Sequence, residues 1–321
     1  MPPALSPQPS ALNSSITVTL ADLIAMRQHA RREEHAASRR VVGSRAAAHA
    51  SKLRGRGVDY AESRNYQPGD DIRQMDWRLT ARSGRPHTKV FQEEREQSVL
   101  LLVDCNASMH FGSRVRFKSV QAARTAALVA WAAVHGGDRV GALGFGPGLN
   151  AEVKPGGGPR GALQVLRALV EWDAITAAGG VNEPLSQALQ RARRLARPGA
   201  RVILLTDGFS ADAAAEGPLS LLAEHCDVAI VLLADPLEQS APPPARYAVE
   251  GSESGRVLLD FAATKTRARW AQWFAERRAL LHSMLQRRGL RSVTLDTRGE
   301  PDAALMRVLG LDARVHTVRS A

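Results

Sequence analysis

The sequence predicts an α/β protein whose mostly parallel sheet is doubly wound, with helices on both faces. Three short and almost continuous apolar runs indicate strands that are buried on both faces: SVLLLVD at 98–104, ARVILLTDG at 200–208 and CDVAIVLLAD at 226–235. Segments with helical periodicity lie between these runs. Because neighbouring parallel strands need a right-handed crossover, the alternation of strand and helix predicts a sheet covered on both sides.

The patterns predict a surface helix at 20–34, followed by irregular structure at 36–86. Strands are predicted at 98–104, 138–145, 200–208, 226–235 and 291–297, and further helices at 115–135, 162–172, 184–195, 265–288 and 301–309. A turn at 154–161 and a loop at 176–184 connect them in the middle of the chain. The first helix should dock on the body through its apolar stripe. Between 237 and 261 the alternation breaks, which predicts an inserted β-hairpin that turns at 252–255.

The same patterns divide the chain into three parts. Residues 1–19 are rich in Pro, Ser and Ala, which predicts a disordered leader. Residues 20–96 hold the N-terminal helix and a charged segment with many glycines. Residues 97–321 form the main domain with the insertion, and 321 residues of which 44% are hydrophobic suffice for one large core.

The net charge of +11 raises the question of nucleic-acid binding. The stretch 98–236 is almost neutral, with 13 basic against 12 acidic residues, and the densest basic segment is 27–56, with nine positive residues. That segment contains no aromatic side chain on which a base could stack. We therefore expect a solvated arginine face and keep nucleic-acid binding through 27–56 as an alternative function.

The two cysteines, Cys105 and Cys226, adjoin apolar runs, so we expect free thiols and a cytoplasmic protein. The N-terminus lacks the basic and apolar regions of a signal peptide. The longest apolar run, 125–134, is about half of what crosses a bilayer. We therefore expect no transmembrane segment.

Two acidic residues mark a candidate site, because ligands collect outside the carboxyl ends of the strands in such sheets. Asp104 ends the first apolar run and Asp207 ends the second. In DCNASM, oxygen-bearing side chains recur at Asp104, Asn106 and Ser108, so an extended loop would point all three the same way. Such oxygens suit Mg²⁺. The alternative is that both aspartates only cap the helices that follow them, accepting backbone N–H bonds and facing the helix dipole.

These residues resemble the metal-ion-dependent adhesion site of the von Willebrand factor A-like domain, a Rossmann-type fold whose pattern is Asp-x-Ser-x-Ser, then a Thr, then an Asp on separate loops. Asp104, Ser108 and Asp207 match directly, and Asn106 replaces the first serine. The resemblance implies a Mg²⁺ ion at these four residues.

The loop that would carry the threonine departs from the pattern. In AGGVNEPL, Val181 stands at the threonine position and offers no oxygen, so only Asn182, Glu183 or a water could replace that ligand. The site is therefore degenerate. We expect these three residues to contact a protein partner.

The segment GRGVDYAESRNYQPGDDIRQMDWRLTARSG at 55–84 resembles the signature of the domain-of-unknown-function family fifty-eight, whose members carry it just before a von Willebrand factor A-like domain. The matching residues are Gly57, Glu62, Arg64, Tyr66, Pro68, Gly69, Asp70, Asp71, Arg73, Asp76, Trp77 and Arg82. The resemblance covers about 40–235. It implies a non-enzymatic partner of a MoxR-type AAA+ ATPase that works in assembly, in a chaperone-like role or in metal-cofactor insertion.

Physically, this signature is typical of a structural clasp. QPGDD favours a tight turn. Arg64, Arg73 and Arg78 supply forked donors that match carboxylates. Tyr66 and Trp77 could anchor the segment by burying their rings.

A metal-dependent hydrolase built on Asp70, Asp71 and Asp76 is the competing interpretation. The interleaved arginines would repel a cation, and the stretch 66–82 around these aspartates holds no histidine or serine as base or nucleophile. The glycine-rich stretches at 154–161 and 145–150 also lack the spacing of a phosphate-binding loop. We therefore predict a protein-binding adaptor and not an enzyme, with any ATP used by its partner.

Overall fold

The computed structural model describes residues 15–41, 59–67, 71–92, 96–177, 179–251, 255–301 and 303–310. The chain divides into two compact units: residues 1–43 with 97–321, and residues 44–96. The helices are α1 (Leu20–Val41), α2 (Trp77–Ser83), α3 (Lys118–His135), α4 (Gly158–Thr176), α5 (Leu185–Leu195), α6 (Glu216–His225), α7 (Pro236–Gln239), α8 (Thr264–Arg288) and α9 (Ala303–Val308). The strands are β1 (Asp59–Asn65), β2 (His87–Gln92), β3 (Ser98–Asp104), β4 (Arg139–Phe145), β5 (Ala151–Gly157), β6 (Arg201–Thr206), β7 (Asp227–Ala234), β8 (Arg246–Gly251), β9 (Gly255–Asp260) and β10 (Arg291–Asp296).

The large unit is built on a six-stranded sheet in the order β10-β7-β6-β3-β4-β5. Every neighbouring pair is parallel except β4 and β5, which are antiparallel. The sequence order reverses direction around β3, as a doubly wound sheet requires. The predicted doubly wound, mostly parallel α/β class is therefore confirmed.

Two hydrophobic cores lie on opposite faces of this sheet. Residues of β3 alternate between them: Val99, Leu101 and Val103 join the core under α1, α3, α4 and α9. Leu100 and Leu102 join the core under α5, α6 and α8. This alternation is the pleat of the strand, and it explains why the run is apolar throughout.

The N-terminal helix packs on the large unit, as predicted. Leu23, Met26 and Ala30 are each about 1% exposed and belong to the first core. The indole N–H of Trp131 donates to the carbonyl of Leu23 at 3.1 Å. α1 therefore belongs with the sheet and not with the charged segment, contrary to the predicted division at residue 20.

The prediction of a disordered leader over 1–19 can be compared with the structure at its last five residues. Residues 1–14 lie outside the described residues, but Val18 is buried and its backbone N–H donates to the Asp173 carboxylate at 2.9 Å. The disorder predicted for 15–19 is therefore wrong, because this stretch has a backbone tie to a buried acceptor.

The prediction of irregular structure at 36–86 is also wrong in part. α1 continues to Val41, β1 pairs with β2 in antiparallel register, and α2 lies between them. The strand signal was missed because DYAESRN is polar and lacks an alternating apolar face.

The predicted turn at 154–161 is instead the end of β5 followed at once by α4. β5 is an edge strand that contains a proline, which edge strands tolerate because only one side is paired. α4 begins at Gly158 with a proline in its first turn, four residues earlier than predicted.

The predicted hairpin insertion is confirmed. β8 and β9 pair antiparallel from Arg246 with Asp260 to Gly251 with Gly255, and residues 252–254 of the predicted turn lie outside the described residues. Among the described helices, none has the length and apolar character that crossing a bilayer requires.

Candidate functional site

The candidate site lies at the carboxyl edge of the sheet, where three loops meet. Val103 pairs with Leu205 in a parallel register, so the aspartates that end the two runs emerge side by side. The loop between α4 and α5 joins them through the backbone N–H of Glu183, which donates to the side-chain oxygen of Asn106 at 2.8 Å. We define the rim as residues 104–110, 179–184 and 206–210.

Asp104 is the buried centre of the rim, with an exposed fraction of 1%. One carboxylate oxygen accepts the backbone N–H of Asn106 at 3.0 Å and its amide group at 2.9 Å. The other accepts the hydroxyls of Thr206 at 2.6 Å and Ser210 at 2.7 Å. An ionised carboxylate offers about four acceptor positions, and here all four are filled.

Asn106 ties two loops together and does not aim an oxygen at Asp104. Its amide group donates to both Asp104 and the carbonyl of Glu183, while its oxygen accepts from the Glu183 backbone. After it, residues 107–109 form a 3₁₀ turn. The predicted extended loop, with three oxygens pointing the same way, is therefore wrong.

Glu183 faces inward rather than towards a partner. Its carboxylate accepts the backbone N–H of Gly146 at 3.2 Å and pairs with Arg191 at 3.0 Å. Gly146 has a φ of +154°, and a Cβ there would lie 2.8 Å from the carbonyl of Cys105. A side chain at this position would therefore push apart the two strand-end loops that Glu183 helps to hold together.

Asp207 is paired with a lysine that the sequence analysis did not consider. The Lys118 ammonium lies 2.7 Å from Asp207 and 2.5 Å from Glu238, and all three side chains are 0% or 1% exposed. Glu238 also pairs with Arg278 of α8. Asp207 additionally accepts the backbone N–H of Phe209 at 2.9 Å. The predicted alternative, a cap on the following helix, is wrong for Asp207, because this bond closes a turn and the next α-helix begins only at Glu216.

A third strand-end carboxylate, Asp235, lies on the next strand along the sheet. It accepts the backbone N–H of Ser113 at 2.8 Å and its hydroxyl at 2.5 Å. It also accepts the hydroxyl of Thr297 at 2.9 Å and the backbone N–H of Leu237 at 3.0 Å. Asp235 therefore ties Ser113, in the loop after β3, to the end of β7.

The charges of the rim are strongly coupled. Burial, followed by the neighbouring Asp207 carboxylate, raises the pKa of Asp104 to about 6. Burial acts to raise the pKa of Asp207 too, but the Lys118 ammonium and the surrounding donors, among them the Ser108 side chain, hold that pKa below its ordinary value. Burial opposes the charged form of Lys118, yet the carboxylates of Asp207 and Glu238 raise its pKa.

As arranged here, the donor set does not fit the predicted Mg²⁺ ion. The four acceptor positions of Asp104 are filled, Asn106 turns its oxygen to a backbone N–H, and an ammonium already balances Asp207. Val181 brings no oxygen and is 90% exposed. Within the described ranges, no group of three or more His, Cys, Asp or Glu side chains is spaced to hold a metal.

An open cavity of about 370 Å³ lies over this network. Its walls are Asn106, Ser108, Asn182, Glu183, Pro184, Phe209, Ser210 and Arg277. Asn182 uses its side-chain oxygen to accept the backbone N–H of Ala107 at 3.1 Å. Of the three residues expected to meet a partner, Val181 is exposed, Asn182 lines the cavity and Glu183 is held by Arg191.

In the signature segment, two aspartates accept bonds from nearby backbone groups. Asp71 accepts the N–H of Arg73 at 3.0 Å. Asp76 accepts the N–H of Leu79 at 3.1 Å and the Ser63 hydroxyl at 2.8 Å. The two bonds from backbone N–H groups are N-caps, of a 3₁₀ turn and of α2, which is the kind of contact that a structural clasp would make.

The predicted aromatic anchor of that segment is wrong for Trp77, which is 63% exposed at the start of α2. Tyr66 is half-buried, and Arg64 donates to the carbonyl of Asn65 at 3.1 Å. α2, a helix of seven residues, has no buried residue of its own. Glu62 lies in β1, while Gly69 and Asp70 lie outside the described residues.

The functional residues that the sequence analysis missed are Lys118, Thr206, Ser210, Asp235, Glu238, Arg191 and Arg277. Asp235 could have been found, because it ends the third apolar run just as the other two aspartates end theirs. Lys118 left one weak signal, a lysine in the first turn of a helix that is mostly apolar. The others depend on contacts between distant parts of the chain.

Comparison with known proteins agrees with these features. Residues 62–280 match the family described as protein of unknown function DUF58. Uncharacterized proteins of Mycobacterium tuberculosis and Mycobacterium bovis are each 31% identical over 214 residues, which is 67% of this chain and 66% of theirs. The match thus spans just under two thirds of the length of these relatives.

Two solved structures are similar at low identity. One is the conserved hypothetical protein BatB from Bacteroides thetaiotaomicron, with 15% identity, coverage of 67% of this chain and 96% of that chain, and a TM-score of 0.42. The other is a von Willebrand factor type A protein from Catenulispora acidiphila, with 12% identity, coverage of 71% and 44%, and a TM-score of 0.36. The DUF58 match at 62–280 covers more than half of the chain described here, and this chain therefore belongs to the DUF58 family.

Proposed function

We propose that this protein is a non-enzymatic adaptor that binds a protein partner through the rim, and that the partner is a MoxR-type AAA+ ATPase. In this proposal the pair works in assembly, in a chaperone-like role or in metal-cofactor insertion, and the ATPase supplies the energy. The two cysteines are free thiols, which is compatible with the cytoplasmic placement that we also propose.

The observation that carries the proposal is a rigid rim with an exposed apolar tip. Hydrogen bonds that the side chains of Asp104 and Asn106 accept from Thr206, Ser210 and Glu183 lock three loops in place. Val181 then stands 90% exposed beside the cavity, although a valine in a loop has no structural need to be there. Loops that are held by a rigid scaffold and expose apolar side chains are typical of binding surfaces.

The chemistry of the rim supports binding rather than turnover. A general base needs a free acceptor, and the carboxylate of Asp104 has none to offer. Asp207 is held in an ion pair with Lys118, and Glu183 in one with Arg191. These groups stabilise the loops, so we assign them a structural role in the adaptor.

The proposal also includes independence from divalent cations. The ammonium of Lys118 already supplies the positive charge between Asp207 and Glu238. Partner binding should therefore be the same with Mg²⁺ and with EDTA. A loss of binding on chelation would show that the rim needs an ion.

A matched pair of surface variants tests the adaptor role. Val181→Arg places a charge at the tip of the rim, and Leu221→Arg places one on α6, where Leu221 is 41% exposed outside the rim. We expect Val181→Arg to lower the affinity for a purified MoxR-type ATPase of the same organism at least tenfold. Leu221→Arg should bind like the wild type.

Affinity is measured by biolayer interferometry on the full chain, with circular dichroism and thermal unfolding to check that both variants fold. Absence of wild-type binding to the ATPase would contradict the assigned partner. Equal losses in both variants would contradict the rim as the binding surface.

A further inference from the structure

One arginine at the mouth of the rim cavity has no carboxylate opposite it. Arg277 lies on α8, is exposed, and lines the cavity beside Phe209. Among the described residues it makes ring contacts, but neither an ion pair nor a hydrogen bond. An uncompensated guanidinium in a concave site is a receptor for an anionic group.

The aromatic contacts hold this guanidinium in place. Its central carbon lies 4.9 Å from the ring centroid of Phe209 and 4.8 Å from that of Trp273. Stacking of this kind orients the planar fork and leaves its N–H edges for a ligand. Because less side-chain freedom remains to be lost, an anion binds at a lower entropic cost than on a free arginine.

The other charged side chains around the cavity already have partners. Arg278 pairs with Glu238, and Arg191 pairs with Glu183. Asp104 is 1% exposed, with all its acceptor positions filled, so a ligand in the cavity does not meet its lone pairs. Arg277 is thus the charge that a ligand entering the cavity meets first.

The neighbours of Arg277 indicate what else the ligand carries. Trp273, Arg277 and Leu280 occupy helical positions i, i+4 and i+7, and the two apolar members are 48% and 36% exposed. α8 carries seven lysines and arginines against one glutamate. This face of the helix is therefore apolar and basic at once, which complements an acidic polypeptide with apolar side chains.

We propose that Arg277 is the anion-binding residue of the rim and receives an aspartate or glutamate side chain of the protein partner. Apolar side chains that flank this acidic residue cover Trp273 and Leu280. The inference rests on the proposed adaptor function and deepens it, because it names the chemistry by which the partner is recognised.

The first test measures ATPase binding by Arg277→Gln, which removes the charge. The matched control is Arg269→Gln on the same helix, since Arg269 is also exposed but is outside the cavity wall. We expect at least a tenfold loss of affinity for Arg277→Gln and none for the control. The wild-type affinity should also fall more steeply with added NaCl than that of Arg277→Gln.

The variants at Val181 and Arg277 separate the two proposals. If Val181→Arg loses the ATPase while Arg277→Gln binds it like the wild type, the role of Arg277 is overturned and the adaptor role stands. If the wild type does not bind the ATPase, the assigned partner is wrong, and a second test judges Arg277 without that partner.

The second test titrates the full chain with the peptide acetyl-Leu-Glu-Glu-Leu-amide, with acetyl-Leu-Gln-Gln-Leu-amide and with inorganic phosphate at matched ionic strength. The side-chain N–H signal of Arg277 and the indole signal of Trp273 are followed by ¹⁵N NMR. We expect the glutamate peptide to shift both signals in the wild type, and the indole signal to stay in place in Arg277→Gln. Equal shifts with the glutamine peptide, or shifts with phosphate alone, would overturn the proposal.

Discussion

At the scale of single residues, the rim depends on one buried ammonium. Lys118 reaches from the first turn of α3 to Asp207 and Glu238, two carboxylates that are far from it in sequence. Taking charges out of water is costly, and their mutual attraction offsets that cost only when each keeps a partner. Removing one member of such a cluster leaves the others buried without a counter-charge. The resulting loss of stability is larger than any stability that the intact cluster adds over apolar side chains in the same place.

Lys118→Met should destabilise the protein strongly, because it leaves Asp207 and Glu238 buried without their shared cation. From the behaviour of other buried pairs we expect a loss of about 3 to 5 kcal/mol in the free energy of unfolding. The measurement is unfolding in guanidinium chloride. Lys154→Met, at an exposed position of β5, is the control and should change stability by less than about 0.5 kcal/mol.

The same unfolding curves check the role of divalent cations. With the ammonium as counter-charge, EDTA and excess Mg²⁺ should leave the wild-type midpoint unchanged. A midpoint that falls on chelation, or a loss below about 1 kcal/mol in Lys118→Met, would refute the assigned role of the lysine.

Asp104 gives the rim a defined pH dependence. Its pKa is about 6 in the folded protein against an ordinary value of 3.8, so the folded state takes up the proton at a higher pH than the unfolded state. The free energy of unfolding therefore gains a contribution from this group as the pH falls through 6. That gain is complete below about pH 4 and is on the order of 3 kcal/mol.

Comparing the wild type with Asp104→Asn isolates the contribution of this carboxyl group to the free energy of unfolding. The difference in unfolding free energy between the wild type and the variant should shift in favour of the wild type from about pH 7 to about pH 4. The lowered pKa of Asp207 keeps the Lys118 pair intact over that window. A difference that stays constant or shifts towards the variant would contradict the raised pKa.

At the scale of elements, an aromatic array links the inserted hairpin to the rim. Neighbouring ring centroids lie 5.7 Å apart for Tyr247 and Phe261, 5.1 Å for Phe261 and Trp270, 5.1 Å for Trp270 and Phe274, and 6.0 Å for Phe274 and Phe209. A two-stranded hairpin is marginally stable by itself. β8 and β9 therefore depend on this array, and the array also supports Phe209 in the rim.

Phe261→Ala should loosen the hairpin, because Phe261 is fully buried at its base. We expect a loss of about 3 to 5 kcal/mol and faster amide exchange in β8 and β9. Leu258→Ala, at a 65% exposed position of β9, is the control and should change neither quantity noticeably. The measurement is hydrogen exchange followed by mass spectrometry, and unchanged exchange in Phe261→Ala would contradict the dependence.

Elements were predictable to the extent that their residues repeat a pattern. β3, β6 and β7 are buried on both faces, so their continuous apolar runs identify them. β1 and β5 were missed because one is polar and the other contains proline and glycine. Such strands form because a neighbouring strand offers partners for their backbone hydrogen bonds. A short stretch of sequence does not show which strand will lie beside it.

At the scale of the whole molecule, the parallel register brings the strand ends together. Asp104 and Asp207 were predicted to meet because parallel neighbours end at one edge, and the pairing of β3 with β6 brings them there. The Mg²⁺ expected between them was predicted from residue types alone. Residue types do not show which carboxylate and amide oxygens will accept hydrogen bonds from the protein itself.

The amino-acid sequence by itself determined the α/β class, the helices that precede β4, β6 and β10, the hairpin insertion and the edge of the sheet that carries the rim, but it did not show α6. These depend on periodicity and on strand direction, which are local properties. Only the tertiary structure decided that Lys118 balances the carboxylates, that Glu183 points inward and that Arg277 faces the cavity. Each of these outcomes depends on which long side chain reaches across the fold, and that reach is set by packing between segments tens of residues apart.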